Sequence, residues 1–256
     1  MNTLAELLRL TEATFWQAII AFLRVGAFSS LLPAFGEHSV PMRIKLAVAI
    51  VFTMIVAPAI PAMAPPDGAG AFVRLALAET VIGVALGIGL RFFVFALQTA
   101  GSIAAQSTSL SQVLGGAAVE PIPAMGYILV IGGLALAVMT GMHVRAAELL
   151  ILSYDVLPAG MFPDASVLSD WGVDQVRRMF SLAFTLAAPF VILSVLYNLA
   201  LGAINKAMPQ LMVAFVGAPV ITCGGLFLLC VAAPVMIRTW LETMQGFLAA
   251  PFGAVP

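Results

Sequence analysis

Long apolar blocks dominate this chain, and polar residues collect in short stretches between them. The first block covers residues 15–32, is interrupted only by Arg24, and ends in the turn Pro33-Ala-Phe-Gly-Glu-His-Ser-Val-Pro41. Two prolines and a glycine there stop any helix. A second block, 44–60, carries Lys45 near its edge and runs into a proline-rich stretch at 58–66. The third block, 72–106, is longer than one perpendicular span requires, which predicts a tilted helix or a broken pair. Within it Gly83 and Gly87 form a G-x-x-x-G pair, the small-residue spacing that lets helix backbones approach closely. That pair is read as helix packing.

Residues 107–123 are small and mostly uncharged, and a fourth apolar block, 124–142, follows them. The next apolar stretch, 146–157, is too short to span and contains Glu148 and Asp155, so it predicts an interfacial or protein-packed helix. The most polar part of the chain is 164–178, with Asp164, Asp170, Asp174, Arg177 and Arg178. Two long blocks, 179–204 and 211–237, close the pattern and are joined by a turn at 205–210. The expected fold is all-α: a polytopic membrane protein built of helical hairpins, with about six long helices and a short one. A single domain over 1–256 is expected, since no linker interrupts the pattern.

Composition agrees with the pattern. Of 256 residues, 62% are hydrophobic and 9% are charged, whereas an ordinary soluble domain carries roughly a quarter charged residues. The chain lacks the charge to cover itself in water, and its blocks reach the roughly 20 helical residues that cross a bilayer core. Insertion at a membrane with its lipids is expected. The net charge of −1 points to no nucleic acid partner. Cys223 and Cys230 share one face of a single helix, too far apart along it to bridge, and read as small apolar residues in a packed face. Glu6, Arg9 and Glu12 precede the first block without a short apolar core and cleavage site, so that block is expected to serve as an uncleaved targeting signal.

Catalytic chemistry has no foothold in the pattern. A phosphate-binding glycine loop, a paired-histidine zinc motif and a nucleophile elbow are all missing from the sequence. His38 and His143 each lack a second ligand at metal spacing. Neither an enzyme nor a metal or cofactor site is expected.

Three charges interrupt the apolar blocks: Arg24, Glu79 and Arg91. Each costs about 2.5–3.5 kcal/mol at the centre of a membrane helix, so each must face protein, water or another charge. Glu79 and Arg91 lie roughly 18 Å apart along one helix and cannot pair with each other. The alternatives are an ion or proton path on one side, and on the other ion pairs between helices of a larger assembly or snorkelling near an interface; the latter reading is preferred because a relay usually needs more than one acid. Loop charges also resist simple topology. Arg43 and Lys45 mark one cytoplasmic loop by the positive-inside rule, but alternation then places Arg145, Arg177 and Arg178 outside. Either the third block crosses twice or some blocks do not cross.

The polar pieces carry a family resemblance. Phe22-Leu-Arg-Val, Pro33-Ala-Phe-Gly-Glu and Val40-Pro-Met-Arg-Ile-Lys45-Leu-Ala, in that order, resemble the N-terminal signature of the FliR family, whose injectisome counterparts are called SctT. Gly101, Gln106, Gly141-Met-His143, Ser153-Tyr-Asp-Val-Leu-Pro158-Ala-Gly160 and Pro209-Gln-Leu211 continue it in family order over nearly the whole chain. Departures are Met212, where the family usually has Asn, and Ser107-Thr108 with Glu120-Pro121, where it usually carries glycine and Asp-Pro.

The resemblance implies a role as one subunit of the type III secretion export gate, a helical pore assembly in the bacterial inner membrane at the flagellar basal body. FliP-like and FliQ-like subunits would share the pore, FlhB-like and FlhA-like proteins would stand beside it, and unfolded protein would be the substrate. It further implies a lumen plug formed by the loop with Gln106, Leu110, Gln112, Val113, Leu114, Gly115, Gly116 and Glu120. Pro209, Gln210 and Leu211 become the turn that sets the last hairpin, and Arg24, Glu79 and Arg91 become candidates for ion pairs between subunits. An injectisome gate subunit and, from another class, a secondary transporter are the alternatives.

Overall fold

The computed structural model describes residues 2–62, 65–108, 124–208 and 213–253. Seven α-helices cover most of these: α1 (Asn2–Leu31), α2 (Met42–Val56), α3 (Ala69–Thr108), α4 (Ala124–Met139), α5 (Met142–Val156), α6 (Ala165–Ala207) and α7 (Val213–Ala249). A 3-10 turn, Ala57–Ala59, extends α2. Five of the helices are long and apolar enough to cross a membrane, or six spans result if the bent pair α4 and α5 counts as one.

Helix ends follow the breakers. Beyond Leu31 the chain turns back on itself: Gly36 N–H donates to Leu32 O at 2.7 Å, and Ala34 takes a positive φ of 68°. Pro41 then starts α2, its fixed φ suiting the entry to a helix and its carbonyl accepting from the amides of Ile44 and Lys45. Lys45 reaches back and donates from Nζ to Gly36 O at 2.9 Å, which ties the turn to the helix it introduces. The third apolar block is one continuous helix of 40 residues, about 60 Å long at 1.5 Å per residue. Of the two sequence expectations for it, the unbroken one holds.

α1 begins at Asn2, well before the apolar block at 15, and three other boundaries differ from the apolar pattern for a visible reason. α4 stops at Met139 because Thr140 and Gly141 break it, with Gly141 at φ +83°, and α5 therefore starts at Met142 rather than 146. The polar stretch at 164–178 and the apolar block after it form one helix of 43 residues. Asp164 begins it, its Oδ1 accepting from Ser166 N–H at 2.8 Å, Ser166 Oγ–H at 2.6 Å and Val167 N–H at 3.4 Å. α7 continues past 237 to Ala249, carried by an exposed Arg238–Glu242 pair one turn apart at 2.8 Å.

The Asp164 cap has a pH signature. Hydrogen bonds from Ser166, first through its side chain and then its backbone, hold the Asp164 carboxyl below the ordinary carboxylate range. A lowered folded-state pKa means the cap stabilises above the unfolded pKa and is lost as pH falls through the folded one. Asp164→Asn should leave the thermal midpoint nearly unchanged at strongly acid pH and lower it at neutral pH. An equal drop at both ends of the titration would show that charge plays no part in the cap.

The helices group into two compact units: Met1–Phe92 with Val138–Gln175 and Met244–Pro256, and Phe93–Ala137 with Val176–Thr243. α3, α6 and α7 contribute to both, as does α4 with its last two residues. In the first unit α1 and α3 run in the same direction, as contacts from Trp16 on Phe72 to Leu31 on Gly87 climb both helices together. α2 returns between those levels, and Gln17 Nε2 of α1 donates to Ala57 O at 2.6 Å and Ile60 O at 3.1 Å, closing its end. Gly83 and Gly87 lie on the contact: a β-carbon at Gly83 would collide with the Arg24 carbonyl oxygen, and one at Gly87 would stand 2.8 Å from Leu31 Cβ. The G-x-x-x-G spacing is thus a close helix crossing, as its pattern suggests.

In the second unit the backbones of α3 and α4 touch where Gly101 faces Gly126. Trp240 of α7 is fully buried there and donates from Nε1 to Phe93 O at 2.8 Å. That bond supplies a partner to an indole N–H which would otherwise be stranded in an apolar core. Much of the apolar surface stays outside. In the most apolar stretch of α7 only 17% is buried by the chain itself, and in α2 only 28%. Cys223 and Cys230 belong to that open surface, both exposed, rather than to a packed face.

Candidate functional site: a closed charge cluster and two tethers

Arg24 and Glu79 are brought together by the α1–α3 crossing that Gly83 permits. Both side chains are 0% exposed. The guanidinium meets the carboxylate with two parallel bonds, Nε to Oε2 at 2.9 Å and Nη2 to Oε1 at 3.2 Å. Such a fork is among the strongest hydrogen-bonded pairings a protein can make. Around it α5 closes a second layer. Arg24 Nη1 donates to Ser153 Oγ at 2.9 Å, and Nη2 donates to Leu157 O at 2.8 Å. Ser153 Oγ–H in turn donates to Leu150 O at 2.6 Å.

The acid is equally complete. Oε2 accepts from the Tyr154 hydroxyl at 3.2 Å, and Oε1 from the Gly160 amide at 2.9 Å, so each oxygen holds two donors. Tyr154 also lies flat against the cation, its ring centroid 3.6 Å from Arg24 Cζ. Gly160 reaches Glu79 at φ +73°, a left-handed backbone in which a side chain would be strained. The cluster is electrically neutral and its hydrogen bonds join α1, α3, α5 and the segment at 157–160. Its arrangement suits holding and orienting helices, and both Glu79 oxygens are already taken by two donors each.

Arg91 is paired as well. Its Nη1 and Nη2 meet Glu37 Oε1 and Oε2 at 2.6 Å and 3.0 Å. The pair is partly open, at 16% and 23% exposure, and tethers the turn after α1 to the middle of α3. The sequence suggested partners on other subunits for all three charges. The fold supplies them within the chain, and Arg24 and Glu79 are too deeply buried to reach a neighbour. Glu37, Ser153, Tyr154 and Gly160 were not singled out as partners from the sequence. A signal existed, for all four lie inside the short polar pieces that carry the family resemblance.

Of the expected plug residues, Gln106 lies exposed near the end of α3. Leu110, Gln112, Val113, Leu114, Gly115, Gly116 and Glu120 lie outside the described residues, as do Pro209, Gln210 and Leu211. The root of the loop is nonetheless clear. Thr108 is buried, its carbonyl accepts from Thr222 Oγ–H at 3.3 Å, and its methyl fills the space left by Gly225 on α7. Among the described residues no cluster of three metal-ligating side chains occurs.

Long apolar helices with open outer faces and internally closed charges define a polytopic helical membrane protein. The family model for bacterial export proteins, family 1, matches residues 15–247, and the chain belongs to that family, a non-enzymatic transport component of the inner membrane. It is 31% identical over 238 residues to the flagellar biosynthetic protein FliR of Caulobacter vibrioides, covering 90% of this chain and 94% of that one. It is also 31% identical over 223 residues to FliR of Escherichia coli, 84% of this chain and 83% of the other. A more distant FliR, from Bacillus subtilis, is 24% identical over 243 residues, 90% of this chain and 94% of that one.

Proposed function

We propose that this chain is a subunit of the flagellar type III secretion export gate, completing a pore with FliP-like and FliQ-like subunits. Unfolded flagellar proteins pass through that pore, and FlhB-like and FlhA-like proteins work beside it. The observation that carries the reading is the contrast between closed charges and open apolar faces. The buried charges Arg24 and Glu79 are answered inside the chain, yet α7 and α2 leave most of their apolar residues uncovered. Such surfaces fit lipid and the flanks of neighbouring helical subunits. The family resemblance favours the subunits, and the names of the relatives favour the flagellar over the injectisome system.

A secondary transporter is the less favoured alternative, because Glu79, the buried acid of the cluster, has both oxygens already occupied by donors of this chain. Expression separates the two. A gate subunit should accumulate only when FliP-like and FliQ-like chains are made with it, whereas stable, active protein made alone would support a transporter. The partly exposed Arg91–Glu37 tether is proposed to lie near a subunit boundary, and the Pro209-Gln210-Leu211 turn to set the angle between α6 and α7 there.

The loop containing Gln106, Leu110, Gln112, Val113, Leu114, Gly115, Gly116 and Glu120 is proposed as the lumen plug. Small uncharged residues with a few aliphatic ones can fill a passage and yield to a moving chain. Deleting 110–116 in the assembled gate should make cells permeable to small solutes, measured as dye uptake. Unchanged permeability with the gate still assembled would remove the plug assignment.

A further inference from the structure

We infer that the outer face of α5 is bathed in water in the assembled protein, so that α5 is not the second half of a membrane span. The helix has two contrasting sides. Met142, Ala146, Ala147, Leu149, Leu150, Ser153 and Tyr154 are buried, and the last two belong to the charge cluster. The opposite side exposes Arg145, Glu148, Leu152 and Asp155, which follow one another at three- and four-residue steps and therefore lie along one line, with Val144 and Val156 exposed at its two ends. His143 stands exposed beside them.

None of His143, Arg145, Glu148 and Asp155 has a side-chain hydrogen bond or ion pair among the described residues. Each class of surroundings makes a different demand on such a face. Hydrocarbon opposes it, since Arg or Asp at mid-membrane costs about 2.5–3.5 kcal/mol apiece. The buried centre of a subunit interface is equally unsuited, because charged residues are depleted there.

The buried side explains how a short, polar-faced helix is held at all. Ser153 Oγ and Leu157 O accept from Arg24 while the Tyr154 hydroxyl and the Gly160 amide donate to Glu79, and these four hydrogen bonds fasten the C-terminal end of α5 and the segment after it. α5 is thereby latched onto its own chain, without need of lipid or a neighbour on its outer side. Gly141 and Gly160, both at positive φ, turn the backbone into and out of the latched segment.

The test is cysteine labelling in native membranes with the partner subunits present and Cys223 and Cys230 replaced by Ala. His143→Cys, Glu148→Cys and Asp155→Cys should react with a membrane-impermeant maleimide from one side of the membrane, several-fold faster than Ala146→Cys and Leu149→Cys. Reaction confined to one end of the helix, or outer positions as slow as the buried ones, would overturn the inference. Leu152→Lys supplies a second reading that does not depend on labelling. It places another charge mid-face, and the assembled gate should form at wild-type yield; loss of assembly would mean that lipid or a subunit covers the face. Neither outcome depends on the loop at 109–123, so the plug assignment and this one stand or fall separately.

Discussion

Arg24→Ala should all but abolish the folded protein. Glu79 would be left fully buried with its two strongest donors gone, and breaking a buried pair from one side typically costs about 3–5 kcal/mol. Native proteins hold only about 5–15 kcal/mol in reserve, so the variant should fall to low steady-state levels and cells should lose motility. Glu79→Ala should be as severe, since it strands the guanidinium together with the Tyr154 hydroxyl and the Gly160 amide. Arg24→Lys is the informative intermediate. It keeps the charge but loses the fork and the flat stacking on Tyr154, so partial function is expected.

The double variant Arg24→Leu with Glu79→Met decides what the pair is for. An apolar replacement of a buried ion pair is often neutral or stabilising. Here it should recover only part of the loss, because Ser153, Tyr154 and Gly160 would each lose a partner. Protein level and thermal unfolding of the co-purified complex measure the recovery. Full recovery would mean that the pair adds nothing beyond filling space, and that α5 is held by packing alone.

The second large effect is expected at the glycines beneath the same cluster. Gly83→Val places its β-carbon against the Arg24 carbonyl oxygen, and 2.9 Å from Ala27 Cβ. Backbone cannot swing aside as a side-chain tip can, so α1 must separate from α3. Overpacking by itself costs about 1–3 kcal/mol, and the separation also pulls Arg24 away from Glu79, so the loss should exceed that range. Gly87→Val meets Leu31 Cβ and the Phe28 carbonyl and should act in the same direction more mildly. Gly70→Ala in the same helix meets nothing within 4 Å and is the matched control, expected to be neutral or slightly stabilising. Comparable yields of the Gly83→Val and Gly70→Ala complexes would refute the close crossing.

These two predictions concern one piece of architecture. Gly83 permits the approach of α1 and α3, the approach brings Arg24 to Glu79, and the pair then gathers Ser153, Tyr154, Leu157 O and Gly160 N. A helix interior can carry this much polarity in a membrane protein only because every group finds a partner. The outer faces follow the opposite rule. Val191, Ile192, Val195 and Leu196 on α6 and Phe227, Val231 and Val235 on α7 are exposed and await lipid or neighbouring subunits.

Much of this was legible in the sequence. The all-helical class, the membrane setting and the family followed from apolar blocks bounded by proline, glycine and charge, because those signals are local. The unusual cost of Arg24, Glu79 and Arg91 was legible for the same reason: any charge in an apolar block must be answered somewhere. G-x-x-x-G at Gly83 and Gly87 announced a close helix contact by spacing alone. Helix bounds at the polar stretch 164–178 were harder, since an Asp164 cap and a continuing amphipathic turn look soluble without breaking the helix.

The identity of each partner was beyond the sequence. Glu79 lies 55 residues from Arg24, and Tyr154 lies 75 from Glu79, so only the folded backbone could say which helix faces which. Spacing along a chain fixes neighbours within a helix; neighbours between helices depend on crossing points that a missing β-carbon decides. The sequence by itself therefore determined that this is a helical membrane protein of the export family with charges in need of partners. The tertiary structure alone decided that the Arg24–Glu79 charges close inside one chain, and that α5 turns a polar face outward.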